Sequence, residues 1–100
     1  MKTGIELIAE ERQRQIEKEG YTPEHDANHD GGELALAAAC YAAFPVNIYT
    51  HDHSRVNQQV FNRLIPFDEY EIDSKHSEIR RLTIAGALIV AEIDRISSQP

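Results

Sequence analysis

The stretch KHSEIRRLTIAGALIVAEIDRIS, residues 75–97, carries the strongest secondary-structure signal in the chain. Its apolar residues alternate at spacings of three and four, which is typical of a helix with an apolar seam along one side. The seam consists of Ile79, Leu82, Gly86, Ile89, Ile93 and Ile96. Ile84, Leu88 and Val90 widen the apolar surface beyond this seam. We therefore predict a long helix over residues 75–97 that contacts both its own chain and a second copy.

The width of that surface also predicts the quaternary structure, which we expect to be a homodimer or a higher homo-oligomer. Gly86 lies between Ala85 and Ala87, and such small residues would let another backbone come close. A monomeric mass in light scattering would contradict this hypothesis.

A second helix is predicted over residues 3–19 and ends at Gly20, because glycine readily adopts the left-handed conformation of a helix C-cap. Its apolar stripe consists of Ile5, Ile8, Ala9 and Ile16. Arg12 falls on the same stripe, so its guanidinium must either reach solvent or find acceptors in the interior. The acids predicted as its partner are Asp26, Asp30 and Glu33.

The third main helix is predicted over residues 31–44, where Pro45 ends it. Residues 34–44 are apolar on every side, which places this helix at the centre of the fold. Asp30 is its predicted N-cap, with Glu33 completing a capping box. Just before it, Thr22 and Pro23 predict a short helical turn.

These elements predict an all-α fold with three main helices, a central apolar helix and a partly irregular excursion before the last long helix. One hundred residues suffice for one domain, so residues 1–100 are expected to form a single helical unit. The excursion covers residues 46–73, and within it residues 56–66 are expected to form either a short helix or a short strand.

The composition excludes several classes of protein. A net charge of -7 argues against a nucleic-acid-binding protein, because phosphate neutralisation needs clustered Lys and Arg. The single cysteine, Cys40, lies in an apolar run and predicts a reducing compartment. The longest apolar run is too short to span a membrane. We expect a cytoplasmic protein.

Two histidines precede the central helix and raise the possibility of a divalent metal ion. His25, His29 and Glu33 are four residues apart, which would align all three on one unbroken helix, and imidazole and carboxylate suit zinc and similar ions. Gly31 and Gly32 disfavour an unbroken helix, so capping of the central helix is the competing explanation.

Arg12 allows two interpretations. In one, it ties the glycine-rich turn to the first helix. In the other, it lines a polar pocket that accepts phosphate or carboxylate. The predicted ligand-binding residues are Arg12, Gln15, His25, Asp26, Glu33, Arg80 and Arg81.

The segments ERQRQIEKEGYTPEHDANHDGGELALAAACYA, residues 11–42, and AGALIVAEIDRI, residues 85–96, resemble small helical proteins encoded in phage and prophage genomes. This resemblance implies a phage context, in which the protein would be located in the cytoplasm of the host cell. The segment NRLIPFDEYEIDSKHSEIRRL, residues 62–82, is similar to part of ryanodine-receptor repeat domains, whose bacterial and phage relatives are associated with nucleotide-like ligands.

A looser similarity links the chain to MazG-type all-α nucleotide pyrophosphohydrolases, which hold magnesium on a triphosphate with an ExxE and an ExxD pair. Asp30 and Glu33 could stand for the first pair. Residues 83–86 read Thr-Ile-Ala-Gly where the second pair would be needed, and this departs from the family.

Three functions follow as hypotheses. The leading one is capture of a small anionic, nucleotide-like ligand without turnover. The second is a metal-dependent nucleotide pyrophosphohydrolase that uses Asp26, His29, Asp30 and Glu33. The third is a structural or partner-binding homo-oligomer.

Overall fold

A computed structural model of the protein describes residues 1–43, 47–49, 52–57 and 77–98. In these ranges the chain forms four helices and one two-stranded hairpin. They are α1 (Gly4–Glu19), α2 (Pro23–Asp26), α3 (Glu33–Ala42), β1 (Asn47–Tyr49), β2 (Arg55–Asn57) and α4 (Glu78–Ser97). The all-α prediction is confirmed, since each strand is only three residues long.

The ends of α1 follow from local capping. The Thr3 hydroxyl accepts the backbone N–H of Glu6, and the Glu6 carboxylate accepts the backbone N–H of Thr3, which completes a capping box. At the other end Gly20 has φ 73° and ψ 21°, the left-handed C-cap conformation. Both boundaries agree with the prediction to within one residue.

The short turn α2 forms as predicted, whereas the start of α3 does not. Thr22 caps α2 by accepting the N–H of His25 at 3.2 Å, and Pro23 is its first residue. The N-cap of α3 is Gly32, at φ 89°, and no side chain caps this helix. The predicted capping box of Asp30 and Glu33 is therefore wrong. Because Gly32 can adopt a positive φ, it turns the chain into the helix two residues later than Asp30 would.

α4, rather than α3, makes the main contacts with each of the other three helices. The core lies chiefly between α3 and α4, with Tyr21 packed against its edge. It consists of Leu34, Ala37, Ala38, Tyr41, Ile84, Ala85, Leu88 and Ala91. The alanines on the other side of α3, Ala35, Ala39 and Ala42, are exposed. The expectation that α3 is covered on every side is therefore wrong, because small alanine side chains tolerate solvent at little cost.

The hairpin occupies part of the excursion, residues 46–73, that was predicted as partly irregular. β1 and β2 are antiparallel, with Ile48 paired to Val56. In the turn His53 has φ 68°, and Asp52 Oδ1 accepts the backbone N–H of Ser54 at 3.0 Å. For residues 56–66 a short helix or a short strand was expected, and residues 56 and 57 belong to the strand β2, which begins at Arg55. The remainder of that segment, together with Phe44 and Pro45, lies outside the described residues.

The orientation of α1 differs from the prediction. Its apolar stripe does not face the core: Ile5 is 83% exposed, Ala9 is exposed, and Ile8 and Ile16 are only half-buried. The buried residues of α1 are instead Glu11, Arg12 and Gln15. None of the described helices is both long enough and apolar enough to span a membrane.

Candidate functional site

The face of α1 that packs on the rest of the chain is polar, and it holds two charge networks. Buried charged groups require partners, because the interior solvates them poorly. One network centres on Arg12 and joins α1 to α2. The other centres on Glu11 and joins α1 to the start of α4. Both lie within two turns of the same helix, so α1 positions them together.

In the first network, Arg12 makes its contacts almost entirely out of solvent. Its Nη1 donates to the backbone carbonyl of Tyr21 at 2.9 Å, and its Nη2 lies 3.4 Å from Oδ2 of Asp26. Its Nε is 3.8 Å from Oδ2 of the exposed Asp94. The Asp26 carboxylate, 1% exposed, also lies 3.2 Å from Nδ1 of His25. Asp26 was one of three predicted partners for Arg12, and this pairing is confirmed.

In the second network, one buried carboxylate binds two arginines. Glu11 accepts from Nε and Nη2 of Arg14 at 2.9 and 2.7 Å, and Nη1 of Arg80 lies 2.6 Å from its Oε2. The Glu11 side chain is 1% exposed, whereas those of Arg14 and Arg80 are 40% and 37% exposed. Gln15, also buried, approaches the same carboxylate with its Nε2 at 3.4 Å. The Glu11 carboxylate is therefore buried, whereas the guanidinium groups of Arg14 and Arg80 both reach solvent.

The charges around Glu11 keep it ionised. Burial raises the pKa of its carboxyl, but the hydrogen bonds and positive charges of Arg14 and Arg80 outweigh burial and hold the pKa below its ordinary value. Glu11 is therefore a fixed anion at neutral pH that holds two cationic groups in place.

A cleft of about 350 Å³ opens beside this second network, between α1 and the first turns of α4. Its walls carry both the charged groups and an apolar surface. They are formed by Leu7, Glu10, Glu11, Arg14, Ser77, Ile79, Arg80 and Thr83. The volume is at the lower end of the range for small-molecule sites, about 300 to 1,000 Å³.

The histidines lie next to one another without forming the predicted metal site. The His25 ring stacks on the Tyr21 ring. The His29 ring meets the His25 ring edge-on, at a centroid distance of 5.2 Å. Nδ1 of His29 lies 3.7 Å from Oε2 of Glu33. Across the described ranges, no group of three or more His, Cys, Asp or Glu side chains is arranged to hold a metal ion. α2 ends at Asp26, so the helix that would align the three ligands is interrupted.

The contacts of the predicted ligand-binding residues fall into separate groups. Arg12, His25 and Asp26 form one, Gln15 and Arg80 meet at Glu11, and Glu33 pairs with His29. Arg81 is half-buried and does not line the cleft. Of the predicted set, only Arg80 lines the cleft.

Sequence reasoning missed Glu11 and Arg14. Their spacing of three on a helix is itself an ion-pair signal. Glu11 also shares one side of α1 with Arg12 and Gln15, which outlines a polar stripe as continuous as the apolar one. Nothing local indicated which of the two stripes would be buried.

Cys40 belongs to neither network. It is buried in α3, and burial raises the pKa of its thiol. A protonated, enclosed thiol is a poor nucleophile. The residue therefore serves as a small apolar side chain beside the core.

A comparison of the chain with protein-family models, with curated proteins and with solved structures finds no match in any of the three. The resemblances to phage-encoded proteins and to MazG-type enzymes therefore stay predictions. Any functional assignment depends on the geometry of the cleft and of the two charge networks.

Proposed function

We propose that the protein captures a small anionic, nucleotide-like ligand, without turnover, in the cleft between α1 and α4. One observation carries the proposal: the buried Glu11 holds two partly exposed guanidinium groups, those of Arg14 and Arg80, at the wall of this cleft. Positions fixed before binding reduce the entropy lost when a ligand is bound.

The arginines have the donors that such a ligand needs. Each guanidinium carries five N–H groups in a rigid fork, more than its contacts with Glu11 use. Arg14 also contacts Glu19 at 2.7 Å, but this pair is exposed and so contributes little to stability. An incoming phosphate can take the place of Glu19 on Arg14.

The start of α4 adds a second favourable element. Ser77, the N-cap, lines the cleft and accepts the N–H of Arg80 at 3.1 Å. The first N–H groups of a helix have no acceptor within it and carry partial positive charge. Together with Arg80, they favour an anionic group at this end of the cleft.

The rest of the cleft suits an uncharged ring. Leu7 and Ile79 form an apolar wall beside the charged one. Glu10 also lines the cleft, but Lys2 lies 2.7 Å from its carboxylate and offsets its charge. A ligand with a phosphate at one end and a flat base at the other would match both walls.

Capture rather than hydrolysis is supported by where the acids lie. Magnesium-dependent hydrolysis of a triphosphate needs several converging carboxylates. Among the described residues, the two fully buried acids are Glu11 and Asp26, and each is engaged by arginine. Asp30 and Glu33, the counterparts of the first MazG-type pair, are not part of the cleft wall.

Isothermal titration with inorganic pyrophosphate and with ATP, in the presence of a chelator, tests the proposal. We expect binding without release of phosphate. Arg80→Gln should weaken it by roughly 10- to 100-fold, the effect of losing one charge-assisted hydrogen bond. Arg81→Gln is the matched control, because it removes the same charge from the adjacent position, which does not line the cleft.

Two results would contradict the proposal. One is that the wild-type protein binds neither pyrophosphate nor ATP. The other is an equal loss of affinity in the Arg80→Gln and Arg81→Gln variants, which would indicate a general charge effect. Binding that disappears with chelator, accompanied by release of pyrophosphate, would support the hydrolase instead.

A further inference from the structure

The outer side of α4 is apolar and exposed over its whole length. Ile93 follows Ile84 by nine residues, two and a half turns, so it lies on the side opposite the core. Five of the six residues of the predicted seam are between 49% and 66% exposed. They are Ile79, Leu82, Ile89, Ile93 and Ile96. We refer to these five residues as the outer seam.

α1 makes this surface continuous. The sixth seam position is Gly86, where a Cβ atom would lie 2.5 Å from Cδ1 of Ile8. Ile8 therefore fills the gap in the seam. Beside it, an apolar groove of about 480 Å³ is lined by Ile5, Ile8, Ala9 and Val90, with Arg12 and Gln13 at its polar edge. Contiguous apolar surface of this extent is typical of interaction sites.

We propose that the outer seam is the contact surface between two copies of this chain, which pair through α4 in antiparallel orientation. The proposal does not depend on the proposed ligand. The occupant of the seam is argued from its spacing, its charges and its length.

The spacing between seam positions is the same when it is read from either end of α4. With Gly86 counted as the sixth position, the intervals between successive positions are three, four, three, four and three residues, a sequence that reads identically in both directions. In an antiparallel pair, position 79 therefore faces 96, position 82 faces 93, and position 86 faces 89. Every seam residue meets another seam residue, as in an antiparallel coiled coil.

The charges on α4 favour the antiparallel orientation. Its first turn carries two arginines and one glutamate, a net charge of +1, and its last two turns carry two acids and one arginine, a net charge of -1. These residues are Glu78, Arg80, Arg81, Glu92, Asp94 and Arg95. Antiparallel pairing places the basic end of one helix beside the acidic end of the other, and it also opposes the two helix dipoles. Parallel pairing would bring like charges together. The electrostatic preference is small, because Arg80, Asp94 and Glu92 already pair within each chain, with Glu11, Arg12 and Arg95 respectively.

The length of the seam is sufficient for a specific, though weak, dimer. Twenty residues of helix extend about 30 Å, and the groove beside Ile8 adds to the area. We expect a dissociation constant on the order of micromolar, at the weak end for interfaces of ordinary size. Each copy carries a net charge of -7, so added salt should strengthen the association by screening this repulsion.

Sedimentation equilibrium of the full chain, over a concentration range from a few to a few hundred micromolar, tests the contact. The wild-type mass should rise from 11.3 kDa toward twice that value, 22.6 kDa. Ile93→Glu should remain monomeric. Ala39→Glu is the control, because it places the same charge on the exposed side of α3. A wild-type monomer throughout, or an Ile93→Glu variant that still dimerises, would overturn the proposal.

Disulfide trapping tests the orientation. In a Cys40→Ala background, a chain with Leu82→Cys is mixed with a chain with Ile93→Cys and oxidised. Antiparallel pairing predicts that the mixed disulfide between the two different chains predominates. Predominance of the two symmetric disulfides would indicate parallel pairing and would overturn the proposed orientation.

Discussion

Nη2 of Arg12 lies 3.4 Å from Oδ2 of Asp26, and this buried pair connects α1 to α2. The two side chains are 7% and 1% exposed, so neither charge has much contact with water. Removing one member of a buried pair leaves the other charge uncompensated, which destabilises more than the pair itself stabilises. We therefore expect Arg12 to act mainly by stabilising the fold.

Replacing Asp26 tests this role. We expect Asp26→Asn to lower the free energy of unfolding by about 3 kcal/mol, because it leaves the Arg12 guanidinium buried beside a neutral group. Asp94→Asn is the matched control, since Asp94 contacts the same arginine at 3.8 Å but is half exposed. Asp94→Asn should lower the free energy of unfolding by no more than about 0.5 kcal/mol. Urea unfolding followed by circular dichroism measures both, and equal effects would contradict a structural role for the buried pair.

The helices were predictable where their ends depend on neighbouring residues. Gly20 and Thr22 act within one turn of the chain, and each caps its helix as predicted. The predicted start of the first helix at residue 3 lies one residue before the observed start, and Thr3 itself is the N-cap. The start of α3 was not predictable in this way. Asp30 was the predicted N-cap, but Gly32 takes that position, and glycine has no side-chain acceptor that would mark it as a cap in the sequence.

The orientation of α1 and α4 could not be read from periodicity, because each helix carries two continuous stripes. On α1 the polar stripe is buried, since Asp26 and Arg80 supply partners from distant parts of the chain. On α4 both sides are apolar, and only the packing of α3 determines that Leu88 lies inside and Ile93 outside. The candidate cleft depends on these long-range contacts. For this reason Glu11 and Arg14 were not predicted as site residues, and Arg80 was the only residue of the cleft wall that was.

The second network predicts how stability depends on pH. The pKa of Glu11 in the folded state lies below its ordinary value of 4.5, because Arg14 and Arg80 stabilise the carboxylate despite its burial. Its contribution is therefore complete above pH 4.5 and is lost as the pH falls through the lower, folded-state pKa. We expect the free energy of unfolding to decline in this acidic window.

Urea unfolding as a function of pH measures the decline, and two NMR titrations test the pKa of Glu11. An NMR titration of the wild-type protein should place the Glu11 carboxyl pKa below 4.5. Arg80→Gln should raise this pKa, because it removes one of the two stabilising cations. Glu17→Gln, a change at an exposed position of the same helix, should leave the Glu11 titration unchanged. A Glu11 pKa above 4.5 would mean that burial outweighs the two arginines.

The crossing of α1 over α4 at Gly86 predicts a coupling between two substitutions. A Cβ at position 86 would lie 2.5 Å from Cδ1 and 2.8 Å from Cγ1 of Ile8, so the isoleucine would have to move. We expect Gly86→Ala to destabilise the wild-type protein by about 1 to 2 kcal/mol, since overpacking outweighs the gain in helix propensity. In an Ile8→Ala background the obstacle is gone, and Gly86→Ala should then stabilise α4 by up to about 1 kcal/mol. Thermal and urea unfolding of the four proteins measure this cycle, and an equal effect of Gly86→Ala in both backgrounds would show that the two residues do not meet.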